Sequence, residues 1–382
     1  MTPDARVAVV KAGDRRTAVR QALALITDDI ADRVRPGSTV VVKPNLVSHK
    51  AQLASTHSAT FGATLDALFD AGAGDVLTAE GAGDAPAGFK RFGLLREAEG
   101  RPVRFFDLNR DESEWAPLEL TGVDGTRRVA RVSKTMTDAS CRVSLALAKT
   151  HVTSILTLSL KNMLSCIHPE DRVMMHGHAG GGNGYAGWRR LVVECLKQDN
   201  FAVNVLTRTM GRVRNAKTAW KAVRTRGDAF LALSPSELGY LRSVEAMNHN
   251  LVALAKATKP HIAVVDGFVA MHREGPRHGT PIKIGTVIAG TDAVAVDAVA
   301  AAVMGFNPTM IGYLVYAREA GLGTIDLDRI RVVGDPIAQV RRRCVPHSND
   351  AVQRHWARLA MKRLPTPHFS FADTASKKAV GR

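Results

Sequence analysis

The sequence predicts an α/β fold of mostly parallel sheets flanked by helices, arranged as two lobes with a cleft between them. Short apolar segments rich in β-branched residues alternate with amphipathic segments of helical period, which is typical of strand–helix–strand units. We expect an N-terminal α/β lobe over residues 1–150 and a second α/β lobe over 151–340, with a basic helical insertion at about 206–230. Residues 341–382 are expected to form a basic C-terminal tail that is partly disordered.

The N-terminal half supplies a regular series of strands and helices. RVAVVKA is a strand, and a helix over 15–34 follows it with apolar residues at helical spacing. STVVVKPN is a strand stopped by proline, and the next helix is opened by Ser58 and closed by glycines. DVLTAEG and VRFFDLN are strands on either side of a helix near 86–99. A hairpin over 115–132 turns at its Asp-Gly pair, and CRVSLALA is a fully buried strand.

The C-terminal half resumes the alternation after a glycine-rich loop. Helices are expected near 186–198 and over 236–258, followed by the strands HIAVVDG and IKIGTVIAG. TDAVAVDAVAAAVMG and PTMIGYLVYAREAG are helices, and RIRVVG is a strand. Asp297 lies in the apolar part of the first of these helices, so it requires a partner.

Charge and cysteine usage limit the kind of protein. Residues 206–228 carry seven Lys/Arg against one Asp, and 341–382 carry ten against two, so most of the net charge of +16 lies in two segments. The four cysteines are widely separated without a CxxC pair, which argues against an iron–sulfur cluster and fits a reducing cytosol. No signal peptide or apolar span of about 20 residues is recognisable, so we expect a cytoplasmic protein.

Polar residues end several of the apolar strands, where open parallel sheets bind ligands. We expect them to share a cleft that binds a small anionic molecule. The candidate catalytic residues are His151, Lys161, Glu80 and Asp266. The candidate substrate-binding residues are Lys43, Asn45, Lys149, Asn162 and His278.

Lys161 is the most informative of these residues, because it lies in the apolar run LAKTHVTSILTLSLKNML. A helical conformation over 151–164 would bring it close to His151. A desolvated lysine beside another cation has a lowered pKa and can act as a base or nucleophile, whereas the alternative is a lysine that snorkels out of the core. His176 and His178 form an HGH pattern that can bind a divalent metal.

Several motifs in chain order resemble the family grouped as domain of unknown function 362. They are VVVKPNLV, THSATFGATLDALFDAGAGDVLTAEG, LAKTHVTSILTLSLKNML with RVMMH after it, VVDGFVAMHREGPRHG and TDAVAVDAVAAAVMG. The likeness covers roughly residues 38–305, and the family name implies no reaction. Many members carry appended iron–sulfur cluster cysteines, and this chain lacks them, so a cluster is not expected.

A more distant likeness connects the chain with the lactate racemases. In that family a histidine moves the substrate proton, a lysine holds a nickel-pincer nucleotide covalently, and a later histidine binds nickel. His151, Lys161 and His176 have nearly the same spacing here. No SGG precedes Lys161, and Glu80 and Asp84 stand where those racemases place a further histidine.

Taken together, the sequence predicts a cytosolic enzyme that acts on a carboxylate- or phosphate-bearing substrate by proton or hydride transfer. Its cofactor is unknown, and a divalent metal is one option. The alternative is a non-catalytic binder of nucleic acid or another polyanion through the basic insertion and tail. An aromatic content of 5% offers few surfaces for base stacking, so the enzyme is favoured. Polyanion binding should weaken steeply with salt, whereas turnover in a cleft should not.

Overall fold

The structure, a computed structural model, describes residues 5–111, 115–179 and 235–356. The strands in this part of the chain are β1 Ala5–Lys11, β2 Thr39–Lys43, β3 Asp75–Glu80, β4 Val103–Asp107, β5 Trp115–Thr121, β6 Arg127–Ser133, β7 Cys141–His151, β8 Ile155–Thr157, β9 Ile262–His272, β10 Thr280–Ile282, β11 Thr286–Gly290 and β12 Ile330–Gly334. The helices are α1 Arg15–Ala24, α2 Thr27–Ala31, α3 Ser58–Asp70, α4 Ala85–Arg91, α5 Leu94–Glu97, α6 Lys134–Thr137, α7 Ser159–Asn162, α8 Pro235–Thr258, α9 Ala293–Val303, α10 Gly312–Glu319, α11 Ile337–Val340 and α12 Asp350–Gln353.

Ten of the described strands form one mixed sheet. Its order is β12-β1-β11-β9-β7-β2-β3-β4, with β8 beside β7 and β10 beside β9. The run from β9 to β4 is parallel, whereas β11 lies antiparallel to both β1 and β9. Strands β5 and β6 form the predicted hairpin as a separate two-stranded sheet. The predicted α/β class with a mostly parallel sheet is confirmed.

The expected division into two sheet-based lobes is corrected by the strand pairing. β1 pairs with β11 and β12, so the first strand of the chain is hydrogen-bonded to strands from the second predicted lobe. The predicted boundary near residue 150 falls at the end of β7, which pairs with β2 on one side and β9 on the other. Local periodicity identifies strands but does not show which of them pair.

Helices cover both faces of the sheet. Residues alternate between the faces along β9: Ile262 and Val264 pack with α1 and α3, whereas Ala263 and Val265 pack with α8, α9 and α10. Every residue of α9 is buried, which identifies it as the central helix of its layer. No helix in the described ranges is long and apolar enough to cross a membrane.

Several predicted helices differ in their ends. The helix expected over 15–34 is two helices, α1 and α2, and the one near 86–99 is divided into α4 and α5 by Gly93 with φ 74°. Helix α3 is capped by His57, whose ring accepts a hydrogen bond from the Ala59 N–H at 3.1 Å. The predicted helix over 236–258 is confirmed as α8. The expected elements at 186–198 and 206–230 lie outside the described residues.

The tail is only partly as expected. Residues 341–356 pack on the rest of the fold, with Cys344, Val352 and Trp356 buried and the side chain of Gln353 fully enclosed. This part of the chain has no strand or long apolar period, so sequence patterning could not identify it as core. Residues 357–382 lie outside the described part.

Candidate functional site

The candidate site lies where three neighbouring parallel strands end. Strand β2 lies between β3 and β7, so the carboxyl ends of all three meet at one edge of the sheet. Lys43 and Glu80 are the last residues of β2 and β3, and Lys149 and His151 are near the end of β7. All four side chains are buried. These four residues therefore lie along one edge of the sheet.

Lys43 and Glu80 form a buried ion pair with full hydrogen bonding. The Lys43 ammonium donates to Glu80 Oε1 at 2.8 Å and to the Pro44 carbonyl at 3.2 Å. Glu80 also accepts from the Ser165 hydroxyl and from backbone N–H groups of nearby loops. Burial opposes ionisation of Glu80, but the charge and hydrogen bonds of Lys43, with those of Ser165, outweigh it and lower its pKa. This geometry favours a positioning role for Glu80 over proton transfer.

A chain of amide hydrogen bonds connects this pair to Lys149. Asn162 donates from Nδ2 to the Lys43 carbonyl at 3.1 Å and to Ser144 Oγ at 3.0 Å. Its Oδ1 accepts from Asn45 Nδ2 at 2.7 Å, and Asn45 Oδ1 accepts in turn from the Lys149 ammonium. Lys149 also donates to the Ala54 carbonyl at 3.0 Å. Asn45 and Asn162 thus fix the position of Lys149.

Lys149 and Lys161 are buried without an acidic partner. Neither forms an ion pair with any residue in the described ranges, and Lys161 has no hydrogen bond there either. Its side chain is 8% exposed. Burial lowers the pKa of Lys161 to about 8. Burial, followed by the charge of Lys161, lowers the pKa of Lys149 to about 7, against a partial opposing effect of Glu80.

His151 is held in one tautomer beside the two lysines. Its Nδ1 accepts from the N–H of Thr153 at 3.0 Å and of Ser154 at 3.3 Å, so the ring proton of the neutral form lies on Nε2. Burial, followed by the charges of Lys161 and nearby histidines, lowers the pKa of His151 well below its ordinary value. His151 is therefore a neutral hydrogen-bond donor.

The turn that carries Lys161 is anchored by Asp297 of α9. The expected helical conformation of 151–164 is wrong: β7 continues to His151, and a turn and β8 follow before the short helix α7 begins at Ser159. Asp297 accepts from the Ser159 N–H at 2.8 Å, from its hydroxyl at 2.5 Å and from the Leu160 N–H at 3.1 Å. Burial raises the pKa of Asp297 to about 7. Asp297 is the partnered carboxyl that its position in an apolar helix required.

The C-terminal segment contributes residues that the sequence did not single out. Gln353 donates from Nε2 to the carbonyls of His151 at 2.8 Å and Val152 at 2.5 Å. His347 contacts Glu274 Oε2 at 3.2 Å and is close enough for its charge to lower the pKa of His151. No local pattern identified either residue, because both lie in a stretch that lacks regular hydrophobic spacing.

Asp266 belongs to a different network from the lysine cluster. Its carboxylate accepts from the Thr60 hydroxyl at 2.6 Å and the Phe268 N–H at 2.9 Å, and it lies 2.9 Å from Arg15 Nε. Thr60 lies on α3 and Arg15 on α1, and within the described ranges no hydrogen bond or ion pair joins Asp266 to His151 or Lys161. An ion-paired carboxylate in this position stabilises the packing of α1 and α3 on the sheet.

The remaining predicted residues lie near the site or at its margin. His278 is partly buried in the loop after β9, and its backbone N–H donates to the Glu274 carbonyl at 3.1 Å. His176 is partly buried near Lys161, and burial lowers its pKa to about 3. Among the described residues, no three His, Cys, Asp or Glu side chains could hold a metal together. His176 and His178 therefore lack a third protein ligand among the described residues.

Comparisons with known proteins give a family match over most of the chain. A family model described as domain of unknown function (DUF362) matches residues 40–302. A thylakoid-associated protein of Synechocystis is 21% identical over 294 residues, which are 76% of this chain and 70% of that protein. A crystal structure of a protein from Thermotoga maritima aligns with a TM-score of 0.40 and 10% identity, over 74% of this chain and 57% of that one. The chain thus spans little more than half the length of the Thermotoga protein.

Proposed function

The chain belongs to the family called domain of unknown function 362, and for this member we propose an enzyme that binds a small anion and transfers a proton at His151. The substrate carries a carboxylate or a phosphate. The main support for this proposal is that Lys149 and Lys161 are both buried and that neither has an acidic partner among the described residues.

The electrostatic argument starts from the cost of two buried like charges. Moving an ammonium group from water into a protein costs on the order of several kcal/mol of hydration free energy, unless a partner charge compensates it. Lys43 has such a partner in Glu80, whereas Lys149 has only the neutral oxygens of Asn45 and Ala54. An anionic ligand beside Lys149 and Lys161 would supply the missing charge, so the site favours anions over neutral molecules or cations.

His151 supplies the proton-bearing group. With Nδ1 occupied by two backbone N–H donors, its Nε2–H can donate to an oxygen that gains negative charge during the reaction. A neutral imidazole is suited to this role, since its N–H is retained at neutral pH. A neighbouring lysine in its unprotonated form can accept a proton from the substrate. His151 thus donates a hydrogen bond, and one of the two lysines accepts the proton from the substrate.

We place the enzyme in the cytoplasm as part of the same proposal. The three described cysteines, Cys141, Cys166 and Cys344, are free and buried. Buried free thiols without disulfides are typical of proteins in reducing compartments.

Ligand binding by a charge-removing variant tests the proposal. Thermal unfolding and calorimetry of the full chain would be measured with inorganic phosphate, acetate, lactate and pyruvate. At least one anion should stabilise the wild type, by about 2.7 kcal/mol at a concentration of 100 Kd. Lys161→Met should abolish this gain while leaving the unliganded stability unchanged or higher, because an apolar isostere often matches a buried ion.

The control is Lys90→Met, which removes the charge of an exposed lysine on α4. It should bind the same anion as tightly as the wild type. Equal anion binding by Lys161→Met and the wild type would contradict the proposal and leave Lys161 as a core lysine without a ligand.

A further inference from the structure

We propose that Lys161 is a nucleophilic amine that forms a Schiff base with the carbonyl carbon of a small 2-oxo acid, whose carboxylate lies against Lys149. This inference rests on the proposed function and specifies its substrate class and its covalent step. It is carried by the difference between the two amines: that of Lys149 is fixed by hydrogen bonds, and that of Lys161 has no partner in the described ranges.

The backbone of Lys161 is held while its amine is left unbonded. Asp297 accepts from the N–H groups of Ser159 and Leu160, and the Ser159 carbonyl accepts from Ser144 Oγ at 3.1 Å. The short helix α7 is therefore anchored on both sides. An amine on an anchored turn can approach a bound carbonyl without reorganisation of the protein.

The surroundings of Lys161 favour the neutral amine, which is the reactive form. Lys149 and His151 lie on β7, and His176 ends a 3-10 helix over Arg172–His176; all three are close enough for the charge of Lys161 to lower their pKa values. His151 and His176 are neutral at pH 7, and Lys149, whose pKa is about 7, is only half protonated there. Burial is therefore the cause that lowers the pKa of Lys161 to about 8. A lysine desolvated in an apolar pocket is a recognised arrangement for Schiff-base chemistry.

The covalent step uses the amine of Lys161, the N–H of His151 and solvent. The lone pair of Lys161 Nζ forms a bond to the carbonyl carbon, the C=O π electrons move to oxygen, and His151 Nε2–H hydrogen-bonds that oxygen. The oxygen takes one proton from Nζ and a second from solvent. The remaining C–O single bond then breaks and water leaves. A C=N bond remains, and its nitrogen carries one proton. This bond withdraws electrons from the adjacent carbon and weakens its C–H bond, which connects the covalent step with the proposed proton transfer.

A 2-oxo acid matches this pair of lysines better than a simple aldehyde. Its carboxylate is bonded directly to the carbonyl carbon, so one small molecule presents an anion to Lys149 and an electrophile to Lys161. Inorganic phosphate carries the anion without the electrophile. It is therefore the probe that separates anion binding from covalent chemistry.

Reductive trapping tests the inference on the full chain. The protein would be incubated at pH 8 with pyruvate or glyoxylate and sodium cyanoborohydride, and adducts would be located by intact mass and peptide mapping. One reduced adduct per chain is expected on Lys161. Its neutral fraction at this pH is roughly a hundredfold larger than that of an ordinary lysine, with pKa about 8 against 10.5. Phosphate should slow the trapping.

Two variants complete the experiment. Lys161→Arg should form no early adduct, and Lys90→Arg, which changes an exposed lysine, should be trapped like the wild type. If Lys161→Arg does not fold, the position of the adduct in the peptide map of the wild type tests the inference by itself. Adducts spread over surface lysines, or none, would overturn the Schiff base. If an anion stabilises the wild type but not Lys161→Met, and no adduct is trapped, the Schiff base is overturned and the proposed function stands. If no anion stabilises the protein and no adduct is trapped, both proposals are overturned.

Discussion

Lys43 and Lys161 are both buried lysines near the same sheet edge, and they differ in what surrounds the charge. Lys43 is fully enclosed and lies 2.8 Å from Glu80, which itself accepts further hydrogen bonds from Ser165 and loop N–H groups. Lys161 retains 8% exposure and has no partner in the described ranges. A lysine whose charge is compensated contributes to the architecture, whereas one whose charge is not compensated is available for a ligand.

Three side chains near these two lysines are fully hydrogen-bonded. Asn45 and Asn162 connect the compensated lysine to Lys149, and Asp297 holds the turn of Lys161. Each of these side chains uses its polar atoms within the protein. The unbonded amine of Lys161 contrasts with these three fully bonded side chains.

The largest effect is expected when the compensated pair is broken. Glu80→Gln keeps the shape of the side chain but leaves the Lys43 ammonium buried without a counter-charge. The free energy of unfolding should fall by about 3–5 kcal/mol. Urea denaturation measures it, with Lys43→Met added to Glu80→Gln as the control that removes both charges and recovers most of the loss. A Glu80→Gln protein as stable as the wild type would show that Lys43 does not need its partner.

The next effect concerns the pH dependence of stability and the uncompensated lysine. The pKa of Lys161 is about 8 in the fold against 10.5 for an ordinary lysine. Between these values the unfolded chain binds more protons, so the free energy of unfolding should rise as pH increases, by about 3 kcal/mol between pH 7 and 11. Below pH 7 both states are protonated at this residue, and its contribution no longer changes.

The measurement is urea denaturation across pH 7 to 11 for the wild type and Lys161→Met. The variant should lose this part of the slope, whereas Lys90→Met should keep it. Identical slopes in Lys161→Met and the wild type would mean that the Lys161 amine titrates as it does in the unfolded chain.

A smaller effect is expected at the anchor of the Lys161 turn. Asp297→Asn replaces one carboxylate oxygen by an N–H donor that faces the Leu160 N–H. Stability should therefore fall by about 1–3 kcal/mol. The pKa of Asp297 is raised to about 7, so the native state binds more protons between roughly pH 4 and 7, and wild-type stability from this group falls as pH rises through that window.

The Asp297→Asn protein should not show that decrease, which urea denaturation at pH 4 to 8 would measure. Ser159→Ala is the matched control, because it removes one hydroxyl donor and leaves the carboxyl in place. If Ser159→Ala lost as much stability as Asp297→Asn and abolished the pH effect as well, the anchor would be the hydroxyl and not the carboxyl.

The smallest effect is expected at an exposed ion pair on the same sheet. Arg104 lies 2.7 Å from Asp75, and the Arg104 side chain is 65% exposed. Arg104→Ala should change the free energy of unfolding by less than about 1 kcal/mol, since solvent and salt screen such pairs. If Arg104→Ala lost as much stability as Glu80→Gln in the same urea assay, burial would not explain the difference between the two ion pairs.

Much of the fold could be predicted because its signals are local. The strands β1, β2, β3, β4, β7 and β12 and the helices α3, α8 and α9 follow from apolar periodicity and from glycine or proline at their ends. The strand ends also identified Lys43, Glu80, Lys149 and His151 as polar residues of one region. The sequence did not predict that α7 is a single anchored turn. The chain reverses direction at Ile155, which has φ 66°, and the strand β8 that begins there leaves only a short helix from Ser159.

By itself the sequence determined the α/β class, the family, and the lysines and histidine that follow buried strands, because side-chain type and spacing record burial along a strand or helix. The tertiary structure decided which charges are compensated. Glu80 is paired with Lys43, Asp266 is directed to Arg15 and Thr60, and Gln353 from the C-terminal segment reaches the backbone of His151. These contacts join residues far apart in the chain, and their hydrogen bonds and ion pairs depend on strand order and loop path, which no local pattern encodes.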